Sequence, residues 1–594
     1  MTQSDPRAEY TRRIALWDAM LERGERRHLL ISNVRLVIAG AGAIAAWVVF
    51  VRAVAPAIVF AVPLVAFLVL IAVHALVLQK NERAARARRL YIRGVERIDG
   101  NWPGTGPDGA RFGVAHPYAA DLDIFGSGSL FQLLSSARTE SGEETLAEWL
   151  RGPASVDEIR ARQEAVAELR PKLDFREDLA VLAAEAHVGR TSGLAAWAAT
   201  PPHGLASWLG GLFALLAAGT AALITLAFLD RVPGQAVLLW LLLQAGTVAL
   251  WRTRIHEVVH RVDAPSLDIR LLTQLLERLE REAFVAPRLV QIHERLMAGG
   301  ALPSVRLRQL QRRVSALDSM HNPLFAPFGT ALLVRAQSAV WIDRWHAANG
   351  RLLLQWLGAV GELEALSSLA AFAYERPANP FPTILQEGPR FDARGLAHPL
   401  IVGHVAVAND VTLGGEAPQV LLVSGSNMSG KSTLLRAVGC NVVLALAGAP
   451  VRADALTVSP VAIGATLRVE DSLQAGISRF YAEILRIRAI VETTRGPLPL
   501  LFLLDEILHG TNSHDRRIGA EAIVRSLVKA GSIGLVTTHD LALTELPRTL
   551  ERAANVHFED RIENGRMVFD YRMRPGVVEH SNALELMRAV GLEV

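Results

Sequence analysis

Val420-Leu421-Leu422-Val423-Ser424-Gly425-Ser426-Asn427-Met428-Ser429-Gly430-Lys431-Ser432-Thr433-Leu434-Leu435-Arg436-Ala437-Val438 decides the reading of this chain. An apolar run reads as a buried strand, a glycine loop follows, and a helical pattern opens at Lys431. That order turns the G-x-x-x-x-G-K-[ST] spacing from a text match into a phosphate cradle. Gly425 and Gly430 let the backbone curl so that several N–H groups aim at one anion. The helix beginning near Lys431 offers unpaired N–H groups and the positive end of its dipole. Lys431 is placed to reach the β- and γ-phosphates, and the Ser432 hydroxyl to ligate Mg²⁺. Gly425 to Thr433 is therefore the expected nucleotide-binding loop, with ATP and Mg²⁺ as the expected cofactors.

Working outward, Leu500-Leu501-Phe502-Leu503-Leu504 has the unbroken apolar character of a central strand buried on both faces. It ends in Asp505-Glu506, where Asp505 can hold the Mg²⁺ shell and Glu506 can polarise an attacking water. A third run, Ile533-Gly534-Leu535-Val536, leads through Thr537-Thr538 to His539. His539 could sense a γ-phosphate or serve the structure alone. The single cysteine, Cys440, lies in the apolar helix after the loop and reads as a small core residue. It rules out an intramolecular disulfide, and no Cys/His group has zinc spacing.

The 594 residues imply more than one domain. Net charge is only +3, so composition gives no global case for nucleic acid and any basic surface must be local. A hydrophobic content of 51% and a mean hydropathy of +0.26 direct attention to membrane segments. Residues 1–33 are polar and basic, too long for the charged start of a cleaved leader. Leu36–Val51 and Ala53–Leu78 are charge-free, each near the ~20 residues a span needs. They predict a first transmembrane hairpin over 34–79. Leu205–Leu229 and Ala236–Trp251, joined by Asp230-Arg231-Val232-Pro233-Gly234, predict a second over 205–251. The basic flanks, Lys80 to Arg97 and Arg252 to His260, put both termini in the cytoplasm. The expectation is a multi-pass protein of the cell (inner) membrane with four spans, the lipid bilayer being one partner.

Between and after the hairpins the pattern is helical. Residues 80–204 read as a basic linker followed by core helices. Residues 252–385 read as long amphipathic helices, with Arg306, Arg308, Arg312 and Arg313 forming a basic face that either is solvated or contacts phosphate. Pro377, Pro380 and Pro382 mark the boundary before a nucleotide domain over 386–594.

Beyond the glycine loop, Asp471 to Glu483 (with Ser478), Asp505 to Ser513, Thr538-His539, Asn409-Asp410, His398-Pro399 and Pro575-Gly576 to Gly591-Leu592 together resemble the motifs of the MutS family of DNA mismatch-repair ATPases. Ser426 and Ser429 depart from the family pattern, which usually has Pro and Gly there. The resemblance implies an α/β P-loop domain of the ABC type at the C-terminus behind an all-α core and lever region. It also implies a homodimer with composite sites, Ser478 reaching the γ-phosphate held by the other subunit, and DNA as a candidate partner. The N-terminal mismatch-reading domain is replaced by a membrane hairpin. Phe175-Arg176-Glu177 has the letters of the family's wedge motif, but it lies in a helical pattern. The expected function is thus a membrane-anchored, MutS-like ATP hydrolase. The alternatives are an ATP-driven transporter and a non-catalytic membrane scaffold. Against a transporter, the hairpins offer little polar lining beyond Thr220, Thr225, Gln244 and Thr247.

Overall fold

In the computed structural model, which describes residues 5–52, 56, 58–114, 116–185, 191–263, 266–323, 325–401, 403, 405–426, 428–468, 479–508, 511–539, 542–563 and 566–578, the chain divides into two units. The first comprises residues 1–102 and 174–185. Its body is an antiparallel pair of long helices, α1 (Pro6–Ala46) and α2 (Ile58–Asp99). Asp5 caps α1 by accepting from the Arg7 N–H at 3.1 Å. The pair is registered at its polar end by Arg7–Asp99 at 2.9 Å and Arg88–Asp18 at 2.5 Å, and near its turn by the Phe50–Phe60 contact at 5.5 Å. Residues 80–97, expected as linker, are the second half of α2. One helix partner can cover only one stripe, so Leu36, Val37 and Val62 stay more than half exposed.

The second unit comprises residues 103–173 and 186–594. Its helices begin with α3 (Leu130–Leu134), α4 (Glu140–Arg151) and α5 (Val156–Leu169), capped by Ser129, Thr139 and Ser155 respectively. Next, α6 (Leu173–Glu185) carries Phe175-Arg176-Glu177 on helix, as the sequence pattern indicated, and belongs almost wholly to the first unit. Then follow α7 (Thr191–Ala199), α8 (Trp208–Phe228), α9 (Gly234–Ala249), α10 (Arg252–Asp263), α11 (Ser266–Glu280), α12 (Pro287–Met297), α13 (Pro303–Asp318) and α14 (Ala326–Ala331). The 42-residue α15 (Val334–Glu375) is the spine, with Leu353, Trp356, Leu363, Leu366, Leu369 and Phe372 all buried. Its Glu364, fully buried, accepts from the Arg138 N–H at 3.0 Å and from both the N–H and hydroxyl of Thr139. Burial pushes the Glu364 carboxyl up to about 7, against the pull of those hydrogen bonds.

The expected four spans are met in part. Among the described residues three helical stretches are individually long and apolar enough to cross a membrane: Pro6–Val51, Ile58–Asp99 and Trp208–Phe228. The fourth run breaks, because α9 has 16 residues, about 24 Å against a hydrocarbon thickness of about 30 Å. The chain then bends by 72° into α10, so only the bent pair together passes as a span.

The C-terminal region carries two sheets. The strands are β1 (Thr383–Ile384), β2 (Arg390–Leu396), β3 (Asn409–Gly414), β4 (Val420–Ser424), β5 (Ala455–Val458), β6 (Ala462–Thr466), β7 (Leu500–Leu504), β8 (Ile533–Thr538), β9 (Ala553–Glu563) and β10 (Arg566–Pro575). The smaller sheet has the order β1-β5-β2-β3, the larger β10-β9-β4-β8-β7-β6, parallel except for β10. Helices α16 (Lys431–Ala447), α17 (Arg479–Thr493) and α18 (Ser513–Lys529) complete the region. Every residue of β4, β7 and β8 is buried, which explains their unbroken apolar sequence. Leu422, Phe502 and Val536 pack with Ile487 and Ile490 of α17 and Val524 and Leu527 of α18 in one core.

Candidate functional site

Parallel strands end together, so the residues after β4, β7 and β8 meet at one edge of the larger sheet, where open α/β sheets hold ligands. After β4 the loop turns at Gly425 (φ 146°) and Gly430 (φ 106°). A Cβ on Gly425 would stand 2.9 Å from the Ser429 hydroxyl and 3.0 Å from the Phe558 carbonyl, so only glycine fits. Gly430 caps α16 with no side-chain bond, leaving the helix N-terminus to an anion.

Lys431 is 5% exposed, and its ammonium donates to the carbonyls of Gly425 and Ser426, both at 2.8 Å. Glu506 Oε1 lies 3.8 Å from it. Burial pushes the Lys431 ammonium below its usual range, while Glu506 and Asp505 pull it back. The loop's own carbonyls thus stand where phosphate oxygens would attract this charge. The hydroxyls of Ser426 and Ser429 are buried without a hydrogen-bond partner among the described residues. Two donors left over in a glycine loop fit an oxygen-rich anion.

The carboxylates are held as tightly. Asp505 N–H donates to the Thr466 carbonyl at 3.0 Å, and its Oδ1 accepts from the Thr537 hydroxyl at 2.5 Å. The same Thr537 oxygen accepts from the Glu506 N–H at 3.0 Å, so one β8 residue orients both acids. Glu506 sits in the left-handed region at φ 48°, which turns its side chain across the strand ends. There its Oε1 meets His539 Nε2 at 2.7 Å. Lys431, Asp505, Glu506 and His539 are therefore brought into one cluster. Ser432 and Thr433, on the first turn of α16, line an adjoining cavity of about 410 Å³ with Met428, Gly430, Lys431 and Glu506. A hydroxyl and a carboxylate oxygen, Ser432 and Asp505, are the donor types that suit a hard cation such as Mg²⁺. Ser478 and Asn427 lie outside the described residues, as does most of the Asp471 to Glu483 segment and the C-terminal stretch beyond residue 578.

Several residues of the site carried no role in the sequence reading. Tyr571, at φ 55° in the irregular part of β10, lines the cavity and stands 3.2 Å from where a Cβ on Gly430 would be. Asn409 fixes it by donating to the Tyr571 carbonyl at 3.0 Å and accepting from the Met573 N–H at 2.7 Å. His398 lines the same cavity, its imidazole pushed down to about 4 by burial, with Arg436 and Arg452 adding to the effect. Glu483, buried on α17, accepts from the Leu508 N–H and ties that helix to the loop after Glu506. Thr537 was legible as the polar end of an apolar strand; Tyr571 was not, because sheet pairing alone brings it to the loop.

A second cluster joins the helical region to these elements. Asp121, fully buried, accepts from the N–H groups of Leu467 and Arg468, both at 2.8 Å, and pairs with Arg486 of α17. Its carbonyl accepts from Arg436 of α16 at 3.0 Å. Burial pushes the Asp121 carboxyl up, against the pull of Arg486. Three of the four arginines of the basic face on α13 have local partners: Arg306 donates to Asn349 at 2.8 Å, Arg308 pairs with Glu277, and Arg313 lies 5.6 Å from the Trp341 ring, while Arg312 is exposed.

Comparison with known proteins agrees with this geometry. The family model of MutS domain V matches residues 421–593. A DNA mismatch repair protein MutS from Roseiflexus sp. (strain RS-1) is 31% identical over 255 residues, 41% of this chain and 23% of that protein. The proteins of the same name from Methanosarcina mazei and Geobacillus kaustophilus are 30% and 33% identical over 257 and 246 residues, covering 41% and 39% of this chain. The chain spans about a quarter of the length of these relatives, 28% and 26% in the last two cases.

Proposed function

We infer, from the premise that this chain belongs to the MutS family through its C-terminal domain, that it is a membrane-anchored ATPase working as a homodimer. The observation that carries the reading is the single cluster of Lys431, Asp505, Glu506 and His539 at the strand ends, beside a cavity of about 410 Å³. That volume lies in the range of small-ligand sites, about 300–1,000 Å³. Lys431 exchanges two carbonyls for phosphate oxygens, and the α16 N-terminus and loop N–H groups hold the rest of the anion. Ser432 and Asp505 are the residues to hold Mg²⁺, which when bound neutralises charge on the phosphates. Glu506, oriented by Thr537 and His539, takes up a proton from the attacking water. Tyr571 offers an aromatic face to a base in the cavity.

The three apolar helices, exposed to a degree that water does not favour, support anchoring in the cell membrane. They do not favour a transport path. The polar groups of the second hairpin are spent on backbone and on each other: Thr220, Thr225 and Thr247 on carbonyls one turn back, Gln244 on Thr220 and the Leu216 carbonyl. DNA, whose mismatch repair the relatives are named for, enters as a candidate partner through the family premise, with a steep salt dependence of binding as its signature. The test of the ATPase is Glu506→Gln. It should bind ATP, accumulate as a dimer and turn over at least ~100-fold more slowly. An unchanged rate removes Glu506 from its role.

A further inference from the structure

We propose that residues 319–323 and 325–333, between α13 and α15, form a second, monotopic membrane contact. Phe325, Phe328 and Leu332 would enter the headgroup–acyl boundary beside α8. The proposal rests on the reading that α8 crosses the bilayer.

The stretch holds no Asp, Glu, Lys or Arg, although Asp318 and Arg335 stand at its two ends. The short α14 buries only Gly329, against Met320 and Phe325. It leaves Phe325 39%, Phe328 69% and Leu332 40% exposed. In water such a cluster is unfavourable, and Phe328 above all is left uncovered.

The height of the stretch along α8 points to what covers it. Asp343 of α15 accepts from the N–H groups of His203 and Leu205, both at 2.7 Å, just before α8 begins. One turn nearer the start of α15, Val340 lies 3.5 Å from where a Cβ on Gly210 would be. Numbers fall along α15 as they rise along α8, so the two helices run antiparallel. The start of α15, and with it the end of this stretch, therefore lies beside the N-terminal turns of α8. The 21 residues of α8 measure about 31 Å and match a hydrocarbon layer of about 30 Å with nothing to spare. An exposed, charge-free apolar segment near the N-terminal end of such a span would meet the headgroup–acyl boundary, with Arg335 at headgroup level.

The surroundings have the character of an interface. Trp208 and Trp251 meet edge to face at the root of the hairpin, rings 6.4 Å apart, with Trp208 60% exposed. Tryptophans favour that depth. Arg335, just after the stretch, lies 3.2 Å from His256 of α10, near Arg252 and Arg254 in sequence. Cations flanking an apolar wedge suit anionic headgroups.

The test uses the full chain in phosphatidylcholine–phosphatidylglycerol vesicles. A fluorophore is placed at Phe328→Cys; Cys440 is buried and can stay. A second preparation carries it at Leu215→Cys, exposed inside α8. The expected result is several-fold quenching of the Phe328 label by lipids with shallow nitroxides, with protection from aqueous iodide. The Leu215 label should be quenched by deep nitroxides. A Phe328 label open to iodide while the Leu215 label is deep overturns the proposal and leaves the span intact. A Leu215 label open to iodide overturns the spanning reading itself, and this proposal with it. A Phe328 label shielded from iodide but insensitive to lipid nitroxides, and quenched by nitroxide on another copy of the chain, also overturns it in favour of self-association. Unchanged ATP turnover of both labelled variants confirms that they are folded.

Discussion

In the larger sheet, Val420–Ser424 and Leu500–Leu504 bury every side chain, whereas along α1 and α2 the apolar run leaves Leu36, Val37, Val62 and Val65 more than half exposed. The two kinds of run look alike residue by residue. Length separates them. A five-residue strand fits between neighbouring strands and two layers of helix, so the protein itself supplies the apolar surroundings. A 41-residue helix with one long partner cannot be covered that way and keeps an exposed apolar face, the face that the proposed anchoring would give to lipid. The comparison teaches that unbroken hydrophobicity reports burial, and that only geometry reports in what.

The largest effect that could break this contrast is expected inside the sheet. Leu503→Asp would place a charge in a site with no exposure, so the purified chain should lose its folded nucleotide domain and all ATP binding. Retained nucleotide binding would mean that β7 is not central. Next is Asp121→Ala, which takes the acceptor from the Leu467 and Arg468 N–H groups and one partner from Arg486, which keeps the Ala465, Arg468 and Pro117 carbonyls. Leaving buried donors unpaired costs about 1–3 kcal/mol each, so thermal unfolding followed by circular dichroism should shift down by a few degrees.

A third effect depends on pH. Glu364 is fully buried and its carboxyl stands at about 7, above the unfolded value of 4.5. The folded state therefore holds the proton more tightly. Its contribution is fully present below about 4.5, and stability falls as pH rises from there through about 7, by up to ~3 kcal/mol. Glu364→Gln should flatten that slope in denaturation measured across this range. The smallest effect sharpens the comparison on the exposed side. Val62→Asp would be nearly neutral if its surroundings were water, within about 0.5 kcal/mol. In a bilayer it costs about 3 kcal/mol and should raise the fraction extracted from membranes by alkaline carbonate.

Much of the candidate site was legible because each part of it is local. The run Val420–Val423 became β4, Leu500–Leu504 became β7, and Ile533–Val536 became most of β8; Asp505 and His539 follow the last two directly, and Lys431 follows the first after the glycine loop. The glycines and Lys431 needed no partner from elsewhere to be recognised. What could not be read is what pairing brings from afar. Tyr571 reaches the loop only through the β9–β10 hairpin, and Asp121 is more than three hundred residues from the α16 and α17 groups it joins. The break between α9 and α10 was hidden because Leu250-Trp251 continues the apolar run while the backbone turns. The charge-free stretch 319–334 was visible as letters, but its meaning depends on its level along α8.

The central claim is that this cradle grips a triphosphate in a protein held at a membrane. Equilibrium binding of ATP with Mg²⁺ to the full chain in lipid nanodiscs, parent against Lys431→Ala, tests it most directly. The account expects saturable binding by the parent and at least a ~100-fold loss in the variant, about 2.7 kcal/mol. Equal binding by the two proteins would contradict it.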